Sequence, residues 1–174
     1  SSNIPSRNTK EDEEKKQFML DSVTASQSLQ DFLLEQSRLS DLSEAQRNIA
    51  ELIIGNIDDG GFLQSSVDEL VFSSGQASAD IQAMLEVIQS FHPPGVAARN
   101  LRECLMLQLE RVDRVDSLEY RIIRDCMDEL GRRRIREIAR KVGDTVDAVQ
   151  DAIERIGHLE PRPGRESVSY THLT

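Results

Sequence analysis

Apolar residues recur along most of this chain at the three- and four-residue spacing of an amphipathic helix. No stretch alternates apolar and polar residues as a half-buried strand does. The pattern predicts helices over residues 28–38, 43–57, 67–72, 101–111, 117–130, 135–142 and 145–156, and another from 78 to the prolines at 93 and 94. The predicted fold is therefore all-α.

Short polar residues mark the starts of these helices. Ser43 with Gln46 and Ser66 with Glu69 form the capping-box pattern, in which two side chains satisfy the free N–H groups of the first turn. Single N-caps are predicted at Ser78, at Asp116 or Ser117, and at Thr145. These signals fix the order of the helices before any packing is known.

Two segments interrupt the helical pattern. The run from Asp58 to Gly61 is predicted to end the second helix, and Phe62 and Leu63 then turn back toward the core. The second interruption covers residues 91–105. A helix cannot continue through Pro93 and the proline that follows it, and the helical pattern begins again after the next glycine. We interpret this second segment as a rigid corner and as a candidate functional surface.

An internal repeat relates residues 68–95 to residues 136–164 at an offset of 68, with one inserted residue before the final Pro-Gly of the second copy. Each copy predicts a short helix, a glycine turn, a capped longer helix and a Pro-Gly stop, which is helix-turn-helix geometry. The first copy has no Lys or Arg between residues 68 and 91, so a phosphate clamp is excluded there. Beside the second copy lie candidate contacts to the DNA backbone, or else a solvated face: Arg132, Arg133, Arg134, Arg136, Arg140 and Lys141.

Charge is distributed unevenly within a formal net charge of −10. Residues 1–100 hold 7 Lys and Arg against 16 Asp and Glu, whereas residues 101–174 hold 14 against 15. An acidic first half repels nucleic acid and suits a basic protein partner. No signal peptide or membrane span is predicted, which favours a cytoplasmic location.

Catalytic chemistry is not predicted. Asp58 and Asp59 precede two glycines, which is typical of a turn rather than of a metal site. The three histidines have no metal-ligand spacing with Cys104 or Cys126. No phosphate-binding glycine loop is present. We therefore predict a binding module that is not an enzyme and that needs no metal or cofactor.

Three segments resemble motifs of the sigma-54 family, the nitrogen-type sigma factors of bacterial RNA polymerase. Residues 52–63, the corner with the helix after it over residues 93–109, and residues 161–165 are similar to motifs of that family's core-binding domain, in the family's order. The resemblance covers residues 28–165. Mild departures from it occur at Ser37, Phe62 and Asn100, and at Ala97, where the family usually has Gly.

The resemblance implies docking on core RNA polymerase, chiefly through the β-subunit flap. The implied contact candidates are Asp58, Asp59, Phe62, Leu63, Arg99, Arg102 and Glu103. Competing interpretations stay open, since Phe62 and Leu63 also suit a core and Arg99 suits an ion pair with Glu103 at i, i+4. Regions that in the family meet the activator ATPase and read the −24 promoter element are not recognised, so we expect promoter DNA to be reached weakly or through the holoenzyme.

The predicted organisation has four parts. Residues 1–27 are an acidic linker or tail, and residues 28–110 and 111–165 form two small helical-bundle subdomains with helix-turn-helix-like corners. Residues 166–174 do not resemble the family and are predicted to be a non-native tail. Two alternatives to polymerase binding are a DNA-binding helix-turn-helix regulator acting through residues 132–157 and a structural helical scaffold.

Overall fold

The computed structural model of the chain describes residues 10–15 and 27–165, and these form helices and isolated β-bridges but no sheet. The all-α prediction is confirmed. In the described part, no helix is long and apolar enough to cross a membrane. Residues 10–15 are helical, and the remaining helices are α1 Leu29–Leu39, α2 Glu44–Ile54, α3 Val67–Ser74, α4 Ser78–Gln89, α5 Leu101–Arg111, α6 Leu118–Asp125, α7 Met127–Gly131, α8 Ile135–Val142 and α9 Val146–Ile156, followed by a 3-10 turn at Pro163–Arg165.

The helix starts follow the predicted caps with one exception. Both predicted capping boxes are present at α2 and α3, and Ser117 and Thr145 cap α6 and α9 through their side chains. The prediction for Ser78 is wrong. This serine is the first residue of α4, and the N-cap of α4 is Ala77, whose methyl group cannot form a hydrogen bond with the first turn.

Helix α4 stops at Gln89, short of the prolines to which the prediction extended it, and two other predicted helices also end or break early. The first is α2, which stops at Ile54 because the side-chain amide of Asn56 donates to the carbonyl oxygen of Leu52 at 2.8 Å and terminates the last turn. The second is the predicted helix over 117–130, which is interrupted at Cys126, where φ is −131° and ψ is 31°. The break turns α7 toward α8, so that Leu130 packs in the same cluster as Ile135.

The N-terminal cluster is the larger of two main apolar cores. It is formed by α1–α4 together with the corner after α4, and α4 packs on both α2 and α3 while α2 packs on α1. Its fully buried side chains include Leu33, Ile53, Leu70, Ile81 and Ile88. Each such side chain contributes about 1.5–3 kcal/mol by leaving water, which explains why the predicted stripes meet here.

The C-terminal cluster is formed by α6–α9 around Ile122, Ile138 and Val149. Helix α5 connects it to the N-terminal cluster. Leu105 and Leu109 of α5 pack against Ile123 of α6 in a third, smaller core, and Arg111 at the end of α5 donates to the carbonyl oxygens of Gln89 and Phe91. The predicted boundary at residue 110 stays a prediction. The predicted tails at 1–27 and 166–174 lie largely outside the described residues.

A buried carboxylate joins α6 to α9. Glu119 accepts hydrogen bonds from Arg155 at 2.8 and 3.3 Å and from Arg114 at 3.1 Å. Burial alone would raise the pKa of Glu119, but the hydrogen bonds from Arg155 and from its own backbone N–H, with the charges of Arg155 and Arg114, outweigh burial and hold that pKa below its ordinary value. The ion pairs therefore stabilise the fold at neutral pH.

Replacing Glu119 with Gln is expected to lower the free energy of unfolding by about 1–3 kcal/mol at pH 7. The estimate stays modest because both arginine side chains are about half exposed and keep much of their hydration. Since the folded-state pKa is depressed, the difference from the unmodified chain should shrink as the pH falls through that pKa. Urea unfolding across this pH range measures it, with exposed Glu86→Gln as the control; a difference that does not depend on pH would contradict the assignment.

Candidate functional site

A tight turn over residues 58–63 is held by its own aspartate. Asp58 accepts hydrogen bonds from the backbone N–H of Phe62 at 2.9 Å and from the side-chain amide of Gln64 at 2.7 Å. Its backbone N–H also donates to the carbonyl oxygen of Phe62, and Ile57 pairs with Leu63 in an antiparallel bridge. The carboxylate of Asp58 is thus engaged in shaping the turn, as the sequence pattern indicated.

The turn lies directly against the corner that follows α4. The backbone N–H of Leu63 donates to the carbonyl oxygen of Ala98 at 2.9 Å, and that of Ala97 donates to the carbonyl oxygen of Gly61 at 2.8 Å. The side-chain amide of Gln89 then donates to the carbonyl oxygen of Ala97 at 3.1 Å. Two motifs that are more than 30 residues apart in sequence therefore share one set of backbone hydrogen bonds.

The closing segment of the chain completes this arrangement. The backbone N–H of Gly164 donates to the carbonyl oxygen of Gly60 at 3.0 Å, and Pro163 beside it is fully buried. Gln108 of α5 fixes the same segment, since it donates to the carbonyl oxygen of Glu160 at 2.8 Å and accepts from the N–H of Glu160 at 2.9 Å. We call the contact of residues 58–63, 93–98 and 160–164 the motif junction.

Ala97 occupies a backbone conformation that suits glycine. Its φ is +66°, and its side chain is fully buried in the motif junction. An L-residue in the left-handed region costs about 1–2 kcal/mol relative to glycine, part of which the buried methyl group offsets. The position at which the sequence departs from the resembled motif is therefore one where the fold itself favours glycine.

The structure distributes the predicted contact residues between surface and core. Leu63 is only 4% exposed and is a core residue, while Phe62 is half-buried beside the corner. Arg99 donates to Glu103 at 2.9 and 3.0 Å, so the i, i+4 ion pair is present, and Glu103 also accepts from Gln89. The side chain of Leu63 is consequently unavailable to a partner in this conformation.

Four of the predicted contact residues are exposed, but the side chains of Asp58 and Arg99 are already engaged within the molecule. Asp59 and Arg102 are both exposed. Among the described residues, no carboxylate lies within ion-pair distance of Arg102. These two side chains are therefore open to an external partner.

Sequence reasoning missed one conspicuous surface residue. The side chain of Phe72 on α3 is 94% exposed. Val67 and Leu70 are buried on the opposite side of the same short helix, and Val71 is half-buried. The spacing of those three residues already places position 72 outside the apolar stripe, so the periodicity could have identified Phe72.

Acidic side chains surround this aromatic in the sequence. From residue 39 to residue 98, Arg47 is the only Lys or Arg, and the acidic residues are Asp41, Glu44, Glu51, Asp58, Asp59, Asp68, Glu69, Asp80 and Glu86. The N-terminal cluster thus presents an acidic surface that carries an exposed aromatic ring. Such a combination suits a basic protein partner with an apolar pocket.

The predicted basic residues lie on and before α8. Arg134 pairs with Glu137 at 3.5 Å, and Lys141 pairs with Glu129 of α7. The others form no ion pair with any described carboxylate and are exposed: Arg132, Arg133, Arg136 and Arg140. Within the described residues, no group of His, Cys, Asp and Glu side chains could hold a metal ion.

Comparison with a protein-family description and comparison with individual proteins identify the same kind of protein. The family description "Sigma-54 factor, core binding domain" matches residues 19–172. An RNA polymerase sigma-54 factor of Acidithiobacillus ferridurans is 38% identical over 144 residues, and one of Escherichia coli strain K12 is 37% identical over 145 residues. Each alignment covers 80% of this chain and 30% of the relative, so the chain spans about a third of the length of these proteins.

Proposed function

Because the chain belongs to the sigma-54 factor family, we propose that it binds core RNA polymerase as part of a sigma-54-type transcription initiation factor. The match of residues 19–172 to the core-binding domain carries this proposal. It is supported by the motif junction, where all three resembled motifs meet in one place. The role is one of binding without catalysis, and its setting is the cytoplasm.

The contact surface that we propose lies on the N-terminal cluster. Phe72 supplies the aromatic anchor, and the acidic residues around it would meet a basic surface such as the β-subunit flap. Asp59 and Arg102, which are exposed beside the motif junction, are further candidate contacts. The junction would then act as a support, holding the turn and the corner at one angle to the polymerase.

Substitutions on this surface should weaken binding to core polymerase without unfolding the chain. We expect Phe72→Ala to raise the Kd at least about tenfold, because truncating a hot-spot anchor typically costs about 2 kcal/mol or more, and Arg102→Glu to raise it several-fold. Co-purification of core polymerase with the tagged chain, followed by titration, measures both effects. Leu39→Ala and Arg136→Glu are matched controls on other exposed positions.

Two results would count against the proposed surface. One is equal affinity of the Phe72→Ala and Leu39→Ala variants, which would show that the ring of Phe72 does not contribute to the interface. The other is an equal loss of affinity in the two charge-reversal variants, which would show that affinity depends on the net charge of the chain and not on the position of Arg102. Failure of the unmodified chain to co-purify with core polymerase would contradict the function itself.

The alternative of a DNA-reading helix-turn-helix regulator receives less support. In that arrangement α9 would enter the major groove, yet Asp147, Asp151 and Glu154 are all exposed on it. Carboxylates in that position repel phosphates and read few bases. Polymerase binding therefore remains the function that the geometry favours.

A further inference from the structure

We propose that the basic face, defined as Arg132, Arg133, Arg136 and Arg140, binds the phosphate backbone of double-stranded DNA without reading its sequence. This contact is separate from polymerase binding. Its residues belong to the second half of the sequence, whereas the acidic surface belongs to the first half. It uses the helix before the turn of the second repeat copy, whereas a sequence-reading motif would use the helix after it.

The fold brings these arginines to one surface. Ile138 and Ala139 are buried and anchor the inner side of α8 in the C-terminal cluster. Arg136 and Arg140 are one turn apart on the outer side, where side chains at i and i+4 are neighbours. Arg133 lines the same shallow cleft as both of them, together with the Arg134–Glu137 ion pair, so three of the four arginines border one cleft.

Within the part of the chain that the structure describes, no carboxylate neutralises the charges of this face. Neighbouring cations are paired, Arg134 with Glu137 and Lys141 with Glu129, but the four arginines of the basic face form no ion pair with a described carboxylate. Exposed, unpaired guanidinium groups gain most from a ligand of dense negative charge. Their planar donors match the geometry of phosphate oxygens.

A nucleic-acid backbone fits this face better than an acidic protein does. Protein interfaces rely on buried aromatic or aliphatic anchors, whereas phosphate contacts need only charges and hydrogen-bond donors. Most of the large exposed hydrophobic residues lie elsewhere, on or near α1, α3 and α5. Val146 at the edge of the neighbouring cleft is the exception, and it is only 39% exposed.

The acidic side chains of α9 set the limit of the contact. Asp144 in the turn and Asp147 and Asp151 on α9 would face phosphates if that helix entered a groove. They therefore favour a shallow contact through α8 alone. Backbone contact of this kind is independent of sequence and weakens steeply with salt, because each neutralised phosphate releases counterions.

The test is fluorescence anisotropy of two labelled duplexes of equal length and unrelated sequence, titrated with the full chain in the absence of polymerase. We expect equal, weak binding to both at low salt, with log K falling against log salt at a slope of about −2 to −4. Arg136→Glu with Arg140→Glu should weaken binding by at least about tenfold. Arg38→Glu with Arg47→Glu changes the net charge equally on other helices and should cost much less.

Three outcomes would overturn the proposal, each with the fold of every variant verified by circular dichroism. They are the absence of binding at about 20 mM salt, where phosphate contacts are strongest, an equal loss in the two double variants, and a clear preference for one sequence. None of them depends on whether the chain binds polymerase. The outcome of this experiment can therefore be distinguished from the outcome of the polymerase-binding experiment that tests the proposed function.

Discussion

Gly164→Ala is expected to lower the free energy of unfolding by about 2–4 kcal/mol, because a methyl group at this position has no space to enter. A Cβ atom there would overlap the carbonyl oxygen of Asp59 and lie 2.7 Å from the backbone nitrogen of Gly61. These are backbone atoms of the motif junction and cannot rotate away. The closing segment would have to detach, losing its hydrogen bond to Gly60 and exposing Pro163.

Gly131→Ala is the matched control for that experiment. Gly131 is the last residue of α7, and apart from its chain neighbours and its own helix backbone no described heavy atom lies within 4 Å of a Cβ added there. We expect a change below about 1 kcal/mol, since alanine is at least as favourable as glycine in a helix. Urea unfolding compares the two variants, and equal stability would show that the closing segment does not pack against the turn.

Gln108→Leu is expected to destabilise the chain by about 2–4 kcal/mol, because it leaves the half-buried backbone N–H of Glu160 without its partner and the carbonyl oxygen of Glu160 with only the weak thiol donor of Cys104. The side chain of Gln108 is only 8% exposed and makes both of these hydrogen bonds. Leucine fills similar space, so water cannot enter to replace the lost bonds.

The control for this substitution is Gln150→Leu, at an exposed position of α9. It makes the same chemical change without burying a polar group, and its effect should stay below about 0.5 kcal/mol. Hydrogen exchange at the amide of Glu160 adds a local measurement, with faster exchange expected only in the Gln108 variant. Unchanged exchange and unchanged stability would show that Gln108 does not hold the closing segment in the motif junction.

Local pattern was sufficient for most of the fold and insufficient for the motif junction. The helices and most of their caps could be predicted, since a capping box such as Ser66 with Glu69 involves residues three apart. The contact of Gln108 with Glu160 joins residues 52 apart and has no periodic signature. The family resemblance identified the three segments concerned without indicating that they touch.

The candidate surface shows the same division between local and distant information. The ion pair of Arg99 with Glu103 follows from i, i+4 spacing and was foreseen as an alternative to a partner contact. The burial of Leu63 depends on the corner more than 30 residues later, so sequence alone left it open. Phe72 was identifiable in principle, because it falls outside the stripe of its own helix.

Binding of the full chain to core RNA polymerase tests the central claim most directly. The chain, labelled with a fluorophore and shown by circular dichroism to be folded, is titrated with core polymerase while its anisotropy is recorded. We predict saturable binding with a Kd of about 1 μM or tighter, retained in Gly131→Ala and weakened in Phe72→Ala. Absence of saturation up to about 10 μM polymerase would contradict the proposed function.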